Sequence, residues 1–241
     1  MKKEFKKEFQ KAVHIDFHTM PGIYDINNFD AEEFAITLKK AKVEYVNIVG
    51  ECNIGFAYYP TKIGVRYPGL ERDLVGEMVN ACHKFGIGVT VYVNGGINNA
   101  NLMKHPEWCV ADKDGNTIGK PIENGGDNYC IRKGCFNTGY AEFMKDIFKE
   151  ITTHYEVDGI FCDCMMFHEP CYCEKCKKDM TSRGISLDDT EAVVAFADEQ
   201  KEKFAYEVRE MVGDKIHTFF NSMDWGESYQ DHIEHECLPN D

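Results

Sequence analysis

The sequence predicts a parallel α/β fold of the (β/α)8-barrel type, formed by a single domain over residues 1–241. Short apolar segments rich in β-branched residues alternate with amphipathic segments in the order β-α-β-α-β-α-β-α-β. The long polar loops all follow strands, and no GxGxxG or Walker motif indicates a doubly wound nucleotide-binding fold. Because only five strands are clear, with a sixth predicted at 232–237, we expect an incomplete barrel.

Each predicted element has its own local signal. Asp30 and Glu33 form a helix-start signature, and Gly86 and Gly213 follow the last apolar positions of two later helices. The segment 95–136 is polar and rich in glycine and asparagine, which predicts a long functional loop. The predicted strands are 12–18, 43–50, 87–93, 157–163 and 215–221, and the predicted helices are 31–42, 72–85, 138–155 and 189–212.

The composition is that of a globular protein, with 43% hydrophobic and 12% aromatic residues. The formal net charge of -14 argues against nucleic acid and anionic membrane surfaces as partners. The segment MKKEFKKEFQKAV has no apolar core of a signal peptide, and no apolar run is long enough to span a membrane. The 11 cysteines are scattered through apolar segments, as reduced thiols are. We therefore expect a cytoplasmic protein.

The segment VDGIFCD, residues 157–163, combines a buried strand with one carboxylate near its end. Asp163 is therefore the best single catalytic candidate, because catalytic groups of barrels lie at the carboxyl ends of strands. In the segment 232–236, Glu234 and Glu236 alternate and would project from one strand face, and Glu51 follows the second strand. Any of these three would serve as the partner acid, although each is at least as well explained as a solvated charge.

Three cysteines, Cys171, Cys173 and Cys176, lie within six residues. One turn of chain can place three thiolates around a tetrahedral ion, so we predict a metal site. Three reduced thiols in a loop are the simpler alternative. A fourth ligand is needed, and the candidates are Cys135, Cys164, His168, Cys130 and Cys109.

These motifs carry two family resemblances. The turn CFNTGY at 135–140 with the later CYCEKC at 171–176 resembles the zinc-containing β-galactosidases, which implies a structural zinc held by Cys135 with Cys171, Cys173 and Cys176. Its tyrosine comes one residue earlier than in that family's pattern. The chain also resembles a hypothetical glycosyl hydrolase family, number six of its group, with a barrel similar to that of α-L-fucosidases. That resemblance rests on VHIDFHTMPG, HPEW, DKDGN, CFNTGY, VDGIFCD, PCYCEKCKKDM and HIEHECLP.

The resemblances imply a glycoside hydrolase with a carbohydrate substrate. Similarity to the fucosidases makes Asp163 the nucleophile, whereas similarity to the zinc galactosidases makes it the proton donor, and both roles stay open. The proteins of the hydrolase family are usually much longer, so this chain would hold only part of the barrel, either completed elsewhere or assembled as a homo-oligomer. Polar side chains near strand ends are expected to bind sugar hydroxyls, with an aromatic ring stacking on the sugar; these residues are Asp16, His18, Glu51, Asn94, Asn221 and Trp108.

Two other functions compete with this hypothesis. His14, Asp16 and His18 alternate on one strand face and would bind a catalytic metal in an amidohydrolase-like barrel. That mechanism needs further ligands from later strands, and His217 lies at the wrong end of its strand. The second competing hypothesis is a non-catalytic barrel fragment that binds carbohydrate or a partner chain.

Overall fold

The computed structural model describes residues 11–15, 17–18, 20–22, 25–121, 130–165, 168–223 and 227–231. Its strands are β1 (Ala12–His14), β2 (Tyr45–Glu51), β3 (Phe56–Ala57), β4 (Val65–Arg66), β5 (Gly88–Asn94), β6 (Gly119–Pro121), β7 (Cys130–Arg132), β8 (Gly159–Asp163) and β9 (His217–Phe220). Its helices are α1 (Ala31–Lys40), α2 (Leu74–Lys84), α3 (Asn99–Leu102), α4 (Gly139–His154), α5 (Glu174–Ser182) and α6 (Thr190–Val212), with a 3₁₀ turn at Pro106–Trp108.

Five parallel strands form the main sheet in the spatial order β1-β2-β5-β8-β9. Each strand pairs with the next main-sheet strand along the chain, and helices α1, α2, α4 and α6 lie in the intervening connections. The short strands β3 and β4 extend the carboxyl end of β2, while β6 and β7 form a separate hairpin. Over the described residues the sheet is open, so the structure is a mixed α/β fold with a mostly parallel sheet.

The core lies on both faces of this sheet, as expected where helices cover parallel strands. All seven residues of β2 are buried, and so are six of the seven in β5. One face of the sheet carries a row of aromatic rings. Tyr92 stacks on Phe161 with centroids 5.4 Å apart, and Phe161 contacts Phe219 at 4.7 Å.

The predicted helices form where their caps indicated. Asp30 accepts hydrogen bonds from the backbone N–H groups of Glu32 and Glu33, and Asp189 caps α6 through Ala192. Gly213 ends α6 with φ 68°, a conformation that favours glycine. No helix in the described part of the chain is long and apolar enough to cross a membrane.

The structure corrects the sequence prediction in three places. The first strand is shorter than predicted, because regular pairing covers only Ala12–His14. The segment 95–136 contains α3, a 3₁₀ turn and the β6–β7 hairpin rather than a continuous loop. The cysteine loop contains α5, whose buried face consists only of Cys176 and Met180 and is therefore too sparse to signal a helix. The predicted sixth strand at 232–237 lies outside the described residues.

Candidate functional site

Asp163 ends β8 at the carboxyl edge of the sheet, and its carboxylate is half-buried. Two side chains from neighbouring strands hold it. The Tyr92 hydroxyl on β5 donates to Oδ2 at 2.6 Å, and the Asn221 amide, directly after β9, donates to Oδ1 at 2.8 Å. Each carboxylate oxygen therefore accepts one strong hydrogen bond, which fixes the plane of the carboxylate.

Tyr92 is itself oriented by Asn94, whose amide donates to the phenolic oxygen at 2.8 Å. Asn94 lies beside Asp163 in the strand register, and its Oδ1 accepts the backbone N–H of Ile97 at 2.8 Å. Burial raises the pKa of Tyr92, and the adjacent charge of Asp163 raises it further. The phenol thus stays protonated and remains a hydrogen-bond donor to Asp163.

The backbone beneath Asp163 is held by two glycines after β5. Gly95 and Gly96 both donate their N–H groups to the Asp163 carbonyl, at 2.9 and 3.1 Å. A Cβ atom on Gly96 would lie 1.4 Å from the Cys164 carbonyl oxygen, so only glycine allows this approach. Cys164 has φ 55°, and its thiol donates to Asp163 Oδ2 at 3.4 Å. The loop after β8 therefore turns sharply at the carboxylate.

Two of the predicted histidines lie against the same tyrosine. The rings of His14 and His18 contact Tyr92 edge-on, with centroids 5.6 and 5.5 Å away. His14 Nδ1 also faces the Asn47 amide at 3.0 Å, and His18 Nδ1 accepts the backbone N–H of Asn53 at 3.3 Å. His18, Asn94 and Asn221 of the predicted sugar-binding set are thus grouped around Asp163 or its tyrosine partner.

Two of the remaining candidates, Glu51 and Trp108, are described by the structure and have other partners. Glu51 is fully buried and bonds to Asn98, with no contact to Asp163. Trp108 stacks on His105 with centroids 3.8 Å apart, and its indole packs on Gly139 at the start of α4. Asp16, Glu234 and Glu236 lie outside the described residues.

The four predicted cysteine ligands come together in a second site. The sulfur atoms of Cys135, Cys171, Cys173 and Cys176 all lie within 4.8 Å of one another, and all four residues are buried. Cys135 Sγ is 3.4 Å from Cys176 Sγ and 3.7 Å from Cys173 Sγ. Among the described residues, these four cysteines are the group whose ligand atoms lie close enough together to hold a metal ion.

Local structure favours a thiolate at Cys173. Cys173 is the N-cap residue of α5 and Cys176 lies in its first turn, where the helix dipole stabilises negative charge. Hydrogen bonding with the thiols of Cys135, Cys171 and Cys176 lowers the pKa of Cys173, whereas hydrogen bonding with Cys171 and Cys173 raises the pKa of Cys135 and of Cys176. Asn137 adds an amide donor 3.6 Å from Cys176 Sγ.

The sequence was compared with known families and structures. The family model described as "Hypothetical glycosyl hydrolase 6" matches residues 30–164, more than half of the chain. The chain belongs to this family. A search of the curated proteins finds no match to the sequence.

Several solved structures resemble this chain in fold. α-L-Fucosidase isoenzyme 2 from Paenibacillus thiaminolyticus is 27% identical with a TM-score of 0.79, over 89% of this chain and 33% of that one. A hypothetical protein from Ruminiclostridium thermocellum gives a TM-score of 0.55 at 14% identity, over 79% and 90% of the two chains. The α-galactosidase TtGalA from Thermus thermophilus gives 0.51 at 12%, over 87% and 37%. The chain therefore spans about a third of the length of the fucosidase it matches.

Sequence reasoning missed two residues of the Asp163 site in this hydrolase-family chain. Tyr92 lies in an apolar strand and has the pattern of a core residue, although its position two residues before Asn94 places it near the strand end. Cys164 directly follows Asp163, and it is half-exposed whereas the other described free cysteines are buried. In both cases the position near a strand end was the feature of the sequence that could have indicated a site residue.

Proposed function

We propose that this chain is part of the catalytic domain of a glycoside hydrolase in which Asp163 is the reacting carboxylate. The observation that carries the proposal is the placement of Asp163 at the end of β8, between donors on both neighbouring strands. Membership of a glycosyl hydrolase family and the fold similarity to an α-L-fucosidase support a carbohydrate substrate.

The curvature of the sheet supports a barrel wall. The rings of His14 on β1 and Phe161 on β8 meet edge-on with centroids 5.4 Å apart, although β2 and β5 lie between these strands. Three strand spacings of a flat sheet would separate them by about 14 Å. The sheet therefore curls around its aromatic face, as the inner wall of a (β/α)8 barrel does.

The hydrogen bonds of Asp163 favour the nucleophile over the proton donor. Both of its oxygens accept hydrogen bonds, which is the role of a nucleophilic carboxylate, whereas a proton donor would have to donate from one of them. In the proposed reaction Asp163 attacks the anomeric carbon while the glycosidic oxygen leaves with a proton from a second acid, and water then hydrolyses the ester. Glu234 and Glu236 are our candidates for that acid.

The test is hydrolysis of aryl glycosides, α-L-fucosides included, by the wild-type chain, Asp163→Ala and the exposed control Asp188→Asn. We expect Asp163→Ala to lose at least 1,000-fold in rate, on the order of the largest effects of removing one catalytic group, and Asp188→Asn to keep wild-type turnover. Equal rates for the wild type and Asp163→Ala would contradict the proposal.

Added azide distinguishes the two roles of Asp163. If Asp163 is the nucleophile, azide attacks the anomeric carbon directly in Asp163→Ala and gives a glycosyl azide of inverted configuration. If Asp163 is the proton donor, the covalent intermediate still forms on another carboxylate and the azide product retains its configuration. Product stereochemistry by NMR therefore decides between the roles.

We further propose that the four-cysteine cluster holds a structural zinc. In a tetrahedral site with Zn–S bonds near 2.3 Å, the sulfur atoms lie about 3.8 Å apart, close to the separations of 3.4 and 3.7 Å. Four thiolates leave no open coordination position, so the ion would supply structural stabilisation. It would join the loop before α4, which carries Cys135, to the start of α5.

A further inference from the structure

Glu51, at the end of β2, is a buried acid whose environment differs from that of Asp163. Its side chain is fully buried, and Oε1 accepts a hydrogen bond from the Asn98 amide at 2.6 Å. Oε2 has no hydrogen-bond partner. A Cβ atom on Gly64 would lie 3.0 Å from Oε2, so the backbone of the 59–64 loop closes directly over this oxygen.

A second acid beside Glu51 takes the available donors. Glu150 on α4 accepts from the Tyr59 hydroxyl at 3.1 Å, the Thr61 hydroxyl at 2.6 Å and the Lys62 backbone N–H at 2.7 Å. Glu150 thus accepts three hydrogen bonds, whereas Glu51 has one donor and one bare oxygen. Where two acids share a site in this way, the proton resides on the less solvated one.

The other titratable groups near Glu51 provide no positive charge. They are Cys52 on its own strand, Tyr59 on the covering loop and Tyr140 on α4. No lysine, arginine or histidine of the described residues forms an ion pair with Glu51. Burial raises the pKa of Glu51 to about 8, and Glu150 adds to the increase while the Asn98 hydrogen bond opposes it.

Through Asn98, Glu51 is connected to three segments of the chain. Asn98 Oδ1 accepts from the backbone N–H and the side-chain amide of Asn101, at 3.2 and 2.8 Å. The Asn101 amide also donates to the Gly55 carbonyl at 3.3 Å, and the Asn98 N–H donates to the Arg132 carbonyl at 3.1 Å. The segments after β2 and β5 and the strand β7 thus meet at one buried amide.

We propose that Glu51 is a proton-dependent clamp: it is protonated in the folded protein, and its ionisation opens the loop of residues 59–64 that covers its Oε2 atom. This inference does not depend on the proposed glycosidase activity. Ionisation would leave a second negative charge beside Glu150 with a bare oxygen facing Gly64, and movement of the covering loop is the direct way to solvate it.

The first test is urea denaturation of the wild type, Glu51→Gln and the control Glu174→Gln from pH 5 to pH 9. Glutamine imitates the protonated acid, and Glu174 has a side chain 94% exposed. The folded state binds the extra proton between about 4.5 and about 8, so stability falls as pH rises through that window. Relative to Glu51→Gln, the wild-type unfolding constant should increase about tenfold per pH unit up to pH 8 and then level off.

Parallel pH profiles for the wild type and Glu51→Gln would overturn the proposal. Should Glu51→Gln fail to fold, infrared spectroscopy of the wild type gives the answer. A protonated carboxylic acid band should persist at pH 7 and disappear with a midpoint near 8, and its absence at pH 7 would refute a protonated Glu51.

Hydrogen exchange tests the opening of the loop itself. Above pH 8, the amides of Lys62, Ile63 and Gly64, which are hydrogen-bonded in the closed loop, should exchange at least tenfold faster in the wild type than in Glu51→Gln at the same pH. Amides in the middle of β5 should exchange equally in both proteins. Equal exchange in the 59–64 loop would overturn the clamp even if Glu51 proves to be protonated.

Discussion

At the scale of single residues, local donors decide what each acid of this protein can do. Asp163 and Glu150 each accept three hydrogen bonds, and one of those to Asp163 comes from the Cys164 thiol. Glu51 has one donor and no contact with solvent. The same chemical group is therefore proposed to be a nucleophile at one strand end and a proton carrier at another.

Tyr92→Phe tests the orientation of Asp163. Removing the hydroxyl deletes its hydrogen bond to Oδ2 and leaves the stacked ring and the Asn221 hydrogen bond in place. A hydrogen bond to a charged group is worth about 1.5–3 kcal/mol, so we expect kcat/KM for a hydrolysed aryl glycoside to fall about 10- to 100-fold. Steady-state kinetics on the folded variant measure this.

Tyr206→Phe is the matched control, because Tyr206 is an exposed residue whose hydroxyl donates to Glu227. It should retain wild-type kcat/KM. A Tyr92→Phe enzyme as active as this control would show that the hydrogen bond does not orient the reacting carboxylate.

At the scale of elements, the cysteine cluster connects segments with little other packing. It belongs to a small core of its own, in which α5 contributes only Cys176 and Met180. So few apolar contacts give α5 little independent stability. A metal ion in the cluster would therefore account for an ordered helix at this position.

Metal content tests this account. We expect the purified wild type to contain zinc at one ion per chain, and Cys173→Ser to lose it, because serine is a poor ligand for zinc. Cys164→Ser, which changes a thiol outside the cluster, should keep it. Elemental analysis gives the stoichiometry, and thermal unfolding with and without a chelator gives the stabilisation.

The zinc proposal has a clear contrary outcome. Wild-type protein without bound metal, or Cys173→Ser with unchanged metal content, would contradict it. In that case the four thiols form a reduced cluster linked by hydrogen bonds between sulfur atoms.

At the scale of the whole molecule, the open sheet has two outer strands, β1 and β9, in the described part of the chain. Next to β1, Ile15 donates to Asn47 of β2 and Lys11 accepts from Glu44 directly before β2, so the alternate residues Ala12 and His14 direct their backbone groups away from β2. Unpaired strand edges promote association with further strands. We therefore predict that the isolated chain self-associates.

Light scattering over a range of concentrations tests this prediction. In the wild type, the average mass should rise above the monomer value as the concentration increases. The rise should be smaller in Ala12→Pro, because proline removes an N–H group from the outer edge of β1 and none from the hydrogen bonds to β2. A monomeric mass for the wild type at all concentrations would contradict it.

Much of the fold was predictable because its signals are local. The strands around Val91 and Ile160 are short apolar segments, and the helix starts at Asp30 and Asp189 have side-chain caps. The helix α5 could not be predicted because its buried face holds only Cys176 and Met180. The β6–β7 hairpin could not be predicted because each strand has only three residues, too few for an alternating pattern.

The sequence by itself determined the alternation of strands and helices, the strand-end position of Asp163 and the set of cysteines. Only the tertiary structure decided which side chains meet: that Tyr92 and Asn221 hold Asp163, that Cys135 joins the later three cysteines, and that Glu51 turns to Asn98. The physical reason is that periodicity and capping act within a few residues, whereas these contacts span 36 to 71 residues and depend on strand register and burial.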